Sequence, residues 1–423
     1  MKKLLAAMLA AASCASVAQA QQERVSAEAT APMLTLEQAV AAAGGAAPLA
    51  DAASAGIEAA RANRTVAGLR PNPVAQAQIE NIVGTGRYSG LRSAETTIGV
   101  AVPIELGGKR GARVAVANAQ LSRAELEAAV VAADVRLQVT SLYVEAIAAD
   151  RRLATVRDQL KIAEDALRAA RVRVQAGRAS PLEEQRADVA KINAAASLER
   201  AARLTHVARL NLARRLGRSV ESPLDTGLLD QLPTATYGPM IALSASVTLT
   251  LAAADADIAV ADAGIRLARA NRVPDLNIGP ALRRLEATND TAAVFAVSIP
   301  IPLFNNGRAA VAQASAERTR AEARRRMTAL DVDQAIAEAQ AEAANAETTA
   351  RATAGPALAA AREAARIARI GYREGKFGQL DLLDAERTLA DTRIAAIDAL
   401  ANYHNARARL ERLTAPAPQG ENP

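Results

Sequence analysis

Apolar and polar side chains alternate with a period of two along short stretches of this chain. From Val74 to Ile82, Gln76, Gln78 and Glu80 share one face while Ala75, Ala77 and Ile79 share the other. From Glu95 to Ile104, Ile98, Val100 and Val102 oppose Glu95, Thr97 and Gly99. The pattern returns in Leu276, Ile278 and Leu282, and again in Phe295, Val297 and Ile299. Two pairs of strands are predicted. Their length and polar-in, apolar-out period suit the wall of an outer-membrane barrel, although a soluble amphipathic sheet has the same period. Elsewhere the period lengthens. Leu153, Leu160, Leu167 and Val174 recur every seven residues, with Val156, Ala163 and Ala170 in the companion heptad position. No proline falls between Pro103 and Pro181. One helix from Gly108 to Gln175 is therefore predicted, about 100 Å long at the usual helical rise. Shorter helices are predicted at Thr35 to Leu69 and Pro181 to Leu216, and stacked end to end they match the long one.

The chain also repeats itself. Val102-Pro103-Ile104, followed by Ala112-Arg113-Val114-Ala115, returns as Ile299-Pro300-Ile301 and Ala309-Ala310-Val311-Ala312, an offset of 197. Gly177 with Leu182 returns as Gly375 with Leu380, and His206 as His404, at an offset of 198. The predicted organisation is a signal peptide (1–20), a first unit (21–217, strand hairpin 74–104), a linker (218–243) and a second unit (244–413, hairpin 274–301). The linker contains Pro223, Pro233 and Pro239, and a disordered tail is expected over 414–423. The second unit's helices are expected at Ser244 to Asn271, Arg308 to Glu374 with a kink at Pro356, and Gln379 to Leu413.

Composition narrows the class. Half the residues are apolar but only 2% are aromatic, so alanine supplies most of the core, as in long helices packed closely together. The net charge is +6, with basic and acidic residues interspersed, which argues against nucleic acid as a partner. Lys2 and Lys3, the apolar run Leu4 to Ala12, and Ala18-Gln19-Ala20 read as a secretory signal cleaved before Gln21. Ala12-Ser13-Cys14 offers an alternative, lipoprotein-type cleavage that would leave a lipid anchor on Cys14. Cys14 is the only cysteine, so cleavage after Ala20 leaves neither disulfide nor thiol chemistry. No stretch is apolar enough for a membrane-spanning helix, which favours the barrel. Four strands cannot close one, and an open edge in lipid leaves backbone groups unpaired. The chain must therefore oligomerise. Two copies give eight strands with a filled interior, whereas three give twelve and a lumen. The expected fold is mainly α with a pair of membrane β-hairpins per chain, and a helical layer about 100 Å long beneath such a barrel would continue the conduit across the periplasm as a channel-tunnel.

Leu69-Arg70-Pro71-Asn72-Pro73, with Glu80-Asn81 in the following strand, and Pro103-Ile104-Glu105-Leu106-Gly107-Gly108-Lys109-Arg110 carry a resemblance. Together with the repeat and the tip glycines, they resemble the outer membrane factor (TolC-like) family over essentially the whole mature chain. These two motifs are similar to those of its CzcC-like branch, which serves heavy-metal RND pumps. The resemblance implies a homotrimer in the Gram-negative outer membrane: a trimeric channel-tunnel whose 12-stranded outer-membrane β-barrel is continued by a long periplasmic α-helical barrel. It also implies docking to a periplasmic adaptor (membrane fusion) protein and a proton-driven inner-membrane RND transporter. The implied cargo is heavy-metal cations of the Co/Zn/Cd or Cu class; multidrug efflux and type I secretion are the alternatives. The family's aromatic girdle is thin here: only Tyr88, Phe295 and Phe304 lie near strand ends, so aliphatic side chains must meet the outer-membrane lipid.

The helix-to-helix turns furthest from the strands are the candidate site. Gly177 can end the long helix in a left-handed conformation, and Ser180-Pro181-Leu182-Glu183 opens the next with Ser at the N-cap, Pro at N1 and Glu at N3. The second unit uses Gly375, then Gly378-Gln379-Leu380-Asp381. Tight turning alone accounts for such residues. Alternatively, exposed Arg178, Ala179, Lys376 and Phe377 meet a partner's hairpin, since an exposed phenylalanine beside a base is costly without one. The resemblance makes these tips, Leu182 and Leu380 included, the adaptor-docking sites. Asp381 and Asp384 lie three apart on one helical face. Asp381 is explained by the helix dipole alone, Asp384 less so. Threefold symmetry would gather six carboxylates into a cation-attracting constriction. By resemblance, these aspartates line the periplasmic entrance and Tyr372 matches a tyrosine of the closed-state links. Phe377 stands where the family's linking arginine would be, and Arg186, equivalent to Asp384 in the first unit, can supply a countercharge.

His206 and His404 lack the converging ligands of a zinc site and read as ordinary polar positions. There is no nucleotide loop, no Ser-His-Asp arrangement and no glycosidase-like carboxylate pair, so neither an enzyme nor a cofactor is expected. The alternative of a different class is a periplasmic helical adaptor without a channel. A duct fractionates with outer membrane as a trimer, whereas an adaptor stays soluble or with the inner membrane.

Overall fold

The computed structural model describes residues 33–46, 48–231 and 248–418. The expected signal peptide and Cys14, the linker positions Pro233 and Pro239, and residues 419–423 lie outside the described residues. In chain order the elements are α1 (Leu36–Ala46), α2 (Pro48–Ala67), β1 (Val74–Glu80), β2 (Glu95–Ile104), α3 (Lys109–Gln175), α4 (Pro181–Leu216), α5 (Leu249–Ala270), β3 (Leu276–Leu285), β4 (Asp290–Ser298), α6 (Arg308–Ala352), α7 (Leu358–Arg373) and α8 (Gln379–Leu413). They fall into two compact units that cut across the sequence repeats: of the described residues, 33–46, 133–231 and 337–412 lie in one, and 48–132, 248–336 and 413–418 in the other.

The second of these units holds the sheet, whose order is β1-β2-β3-β4, antiparallel throughout. Its register separates the side chains cleanly. Ala77 pairs with Ile98, Ile98 with Leu282, and Leu282 with Ala293, so these lie on one face with Ile79, Val100, Phe295 and Val297. Glu80 pairs with Glu95 on the other face, where Thr97 pairs with Arg283. There Arg283 reaches Glu95 (2.9 Å), Glu80 (3.1 Å) and the Thr97 hydroxyl (2.9 Å). The apolar face is bare: Ile98 is 64%, Leu282 61% and Phe295 67% exposed. Phe295 thus belongs to the middle of that face, opposite Pro280, not to a strand end.

The Pro103-to-Arg110 motif forms the joint from β2 to α3. Gly107 has φ 70°, and a Cβ there would lie 2.6 Å from Val273, so only glycine fits. Asp275 accepts from the Leu106 N–H (3.1 Å) and pairs with Lys109 (2.7 Å). Glu105 is held bidentately by Arg113, whose hydrogen bond keeps the carboxyl below its ordinary value. In the same unit α5 is tied to α3 by Arg123–Asp257 (2.7 Å) and to α6 by Arg318–Asp262 (2.6 Å) and Arg325–Asp255 (2.7 Å).

The other unit carries the alanine-rich core. Leu153, Val156, Ala163, Leu167 and Ala170 are buried along the heptad seam of α3. Leu167 and Ala170 pack on Ala187 of α4, and Leu358, Ala361 and Ala365 of α7 on Leu389 and Ala396 of α8. Small side chains let these helix pairs approach closely, which is why aromatics are scarce. Tyr143 is the exception. Fully buried, its hydroxyl faces the carbonyls of Leu34 (2.7 Å) and Asp225 (2.9 Å), and burial pushes its pKa up to about 12.

Three expectations are revised, and a fourth, the kink at Pro356, is met by a break of particular form. The helix expected over Thr35 to Leu69 is two helices, the second opening on Pro48, whose missing N–H suits a first turn. The first strand ends at Glu80, because Asn81 takes φ 58°, and the fourth at Ser298, before Ile299-Pro300. The helix expected over Arg308 to Glu374 is interrupted by a π-turn, Thr353–Ala357, in which Gly355 leaves helical geometry (φ −92°, ψ −106°) ahead of Pro356. Finally, the start of the expected tail is tied down: Leu249 N–H donates to Ala415 (3.0 Å) and Pro416 bridges Thr248.

Candidate functional site

The two tips lie in the alanine-rich unit and share one backbone solution. At the end of α3, Gly177 has φ 68°; its N–H donates to Val174 (3.0 Å) and that of Arg178 to Arg173 (2.8 Å). At the end of α7, Gly375 has φ 73°; its N–H donates to Tyr372 (3.1 Å) and that of Lys376 to Gly371 (2.8 Å). Both are Schellman caps, which satisfy the last carbonyls only when the residue after the cap is left-handed. The following helices start differently. The Ser180 hydroxyl caps α4 by accepting from Leu182 N–H (3.3 Å). The Asp381 carboxylate accepts from Gly378 N–H (2.9 Å), the reciprocal half of a capping box.

Side chains divide the tips further. Gly371 is in contact with Phe377: a Cβ on Gly371 would stand 2.2 Å from its ring. Phe377 is thus folded back over α7 and 42% exposed, and is less free than an extended loop tip would leave it. At the repeat-equivalent place in the first tip the sizes are exchanged. Arg173 stands where the second has Gly371, and Ala179 where it has Phe377. The Arg173 guanidinium lies over the Tyr372 ring, 5.3 Å from its centre, and joins the two hairpins. Arg369 pairs bidentately with Glu386, one contact measuring 2.8 Å, and Glu386 is buried.

Leu182 and Leu380 are exposed in matching first turns; in the loops ahead of them Arg178 and Lys376 are exposed, the latter paired with Glu374 (2.7 Å), whereas Ala179, expected to be exposed, is half-buried. Asp384 is exposed at the edge of a groove lined by Val156, Ile162, Ala190, Leu380 and Ile394. No acid–base partner engages Asp384 or Arg186 among the described residues, and the two do not pair with each other. His206 is exposed on α4; His404 packs edge-on to Tyr403 (5.1 Å), and burial lowers its pKa. Arg173, Gly371 and the Arg369–Glu386 pair were missed in the sequence. A position-by-position comparison of the two repeats would have exposed the first two.

Residues 40–218 and 242–415 match the family described as Outer membrane efflux protein. The chain belongs to that family. Its similarity extends to the cobalt-zinc-cadmium resistance protein CzcC of Cupriavidus metallidurans, 28% identical over 381 residues and 90% of each chain. The nickel and cobalt resistance protein CnrC of the same organism is 32% identical over 288 residues, 66% of this chain and 68% of that one. Among solved structures, CusC superposes with a TM-score of 0.74 at 17% identity, covering 90% of this chain and 92% of that one. The outer membrane protein VceC from Vibrio cholerae superposes with a TM-score of 0.72 at 19% identity, covering 91% and 97%. The fold of this efflux protein is therefore that of the outer-membrane channels, mainly helical with a small antiparallel sheet.

Proposed function

We propose that three copies of this chain form the outer-membrane exit duct of a tripartite efflux system that exports heavy-metal cations. The observation that carries the reading is the sheet: one face is apolar and bare, and β1 and β4 each have one edge unpaired within the chain. Lipid suits the first and a neighbouring copy the second; three copies close twelve strands around a lumen lined by the polar face. The family's channels work as trimers with an adaptor and an inner-membrane pump, which supports the same assembly. Metal cations are the cargo favoured by the similarity to CzcC and CnrC. In this reading the first twenty residues are a signal removed after Ala20 and the helices cross the periplasm. The Gly177 and Gly375 tips meet the adaptor. Asp381, Asp384, Tyr372 and Arg186 stand at the entrance, with Arg173 over Tyr372 holding neighbouring hairpins together.

The test is direct. Purified protein should have the mass of three protomers in detergent and conduct ions across planar bilayers, and deletion should sensitise its host to divalent metals. A stable monomer that neither inserts nor conducts would overturn the reading, as would a deletion sensitive only to organic compounds for the cargo.

A further inference from the structure

The connection from β1 to β2, Asn81 to Ala94, is an ordered loop. The Ser93 hydroxyl donates to the Arg87 carbonyl (2.6 Å), closing two short turns, Gly86–Tyr88 and Gly90–Ser93. Gly86 and Gly90 take φ 65° and 71°, and Tyr88 lies so close to Gly84 that a Cβ there would be 2.8 Å away. Yet this organised segment turns apolar side chains to solvent: Val83 is 87% and Leu91 68% exposed, with Ile82 and Tyr88 also exposed. Its only charged residues are Arg87 and Arg92, both exposed and without an acidic partner among the described residues.

Position narrows what can cover it. β1 is entered from α2 and β2 leads into α3, so the loop lies at the end of the sheet remote from those helices. There the apolar face gives way to Thr96, Arg284 and Thr291, which pair side by side. That change marks a boundary between hydrocarbon and a polar layer. An aliphatic and aromatic loop carrying unpaired arginines, continuous with a lipid-facing sheet, matches a membrane interface better than water.

Resting on the duct reading, we infer that Asn81 to Ala94 docks onto phosphorylated lipid headgroups of the distal leaflet. Val83, Tyr88 and Leu91 enter the interface, and Arg87 and Arg92 hold phosphate. Guanidinium suits this role because its forked donors match phosphate oxygens. A second copy is the poorer occupant. Threefold assembly brings six such guanidiniums to one rim, where contact between loops would crowd like charges and phosphate would neutralise them.

The experiment uses the full chain, purified and delipidated, with native mass spectrometry against diphosphorylated lipid A, phosphatidylcholine and inorganic phosphate. Arg87→Gln/Arg92→Gln should retain lipid A about tenfold less well and leave phosphatidylcholine retention unchanged. Inorganic phosphate at the same concentration should not displace the lipid. Equal lipid A retention in the double variant overturns the inference. So does loss of the trimer in that variant, which would make the loop a contact between copies, or displacement by free phosphate. A wild-type chain that neither trimerises nor inserts would instead sink the duct reading, so the two failures are distinguishable.

Discussion

Gly371→Ala probes the second tip because its effect should change sign with the residue at 377. In the native chain the three heavy atoms nearest to a Cβ on Gly371 all belong to the Phe377 ring, the closest at 2.2 Å. The ring must leave. Phe377 is 42% exposed, so folding hides somewhat over half of a side chain of about 200 Å², an upper bound of about 3 kcal/mol. Gly371 provides part of that cover, and its share is roughly 1.5–2 kcal/mol. Opposing this, alanine is favoured over glycine within a helix by about 0.5–1 kcal/mol. The net is a loss of about 1 kcal/mol, local to the tip. In a Phe377→Ala background the clash is absent and the same substitution should gain about 0.5–1 kcal/mol. The amides of Lys376 and Phe377, which both donate to the Gly371 carbonyl, report the opening. Their hydrogen exchange in the assembled protein should be about fivefold faster in Gly371→Ala and slower in the double variant than in Phe377→Ala alone. Equal signs in both backgrounds would refute the argument and make Gly371 a tolerated helix residue.

Asp381→Asn keeps an oxygen for the Gly378 N–H, so the tip should fold; Asp384→Asn should carry most of the loss of cation selectivity and of block by multivalent cations in planar bilayers. Unchanged selectivity and block in the Asp381→Asn/Asp384→Asn double variant would leave both aspartates as helix-start residues. Glu105 has a folded pKa depressed by Arg113, so its contribution is present above its unfolded value and lost as pH falls through the folded one. Thermal unfolding of Glu105→Gln should therefore differ from wild type at pH 7 and converge with it in acid, and a gap that widens in acid would contradict that sign.

Periodicity made the strands, the long helix and the tips legible, because each depends on side chains in register with their own backbone. The face separation of Gln76, Gln78 and Glu80 from Ala77 and Ile79 survives intact in the sheet. What the pattern concealed is set by contacts between distant residues or by single backbone torsions. Asn81 ends a strand through φ alone, and the break before Pro356 takes the form of a π-turn that no hydrophobic repeat encodes. Ala415 and Pro416 look like the start of a loose tail until their partners, Thr248 and Leu249, are placed beside them. At the site, Asp381 was legible as a first-turn acid, whereas the burial of Glu386 against Arg369 required the packing of α7 on α8.

The informative positions at the tips are those where the repeat fails. Backbone demands are duplicated faithfully: two left-handed glycines, two pairs of cap hydrogen bonds, two exposed leucines. Duplicated geometry by itself would give two equivalent hairpins. The exchange of Arg173 with Ala179 for Gly371 with Phe377 keeps each tip filled while moving the bulk from one side of the turn to the other. One consequence is chemical: the first hairpin presents a guanidinium that can reach Tyr372 of the second, and the second presents a phenyl ring folded on its own backbone. The pair therefore has a donor hairpin and an acceptor hairpin, joined at the tips by a cation–π contact of modest strength and further along by the Arg152–Asp398 pair (2.7 Å). Arg173 is shared at the tip: its guanidinium also lies 3.9 Å from the Glu183 carboxylate, so the second hairpin's ring competes for it with an acid of the first hairpin. Symmetric tips, with a glycine and a phenylalanine in both, would leave no guanidinium to reach across.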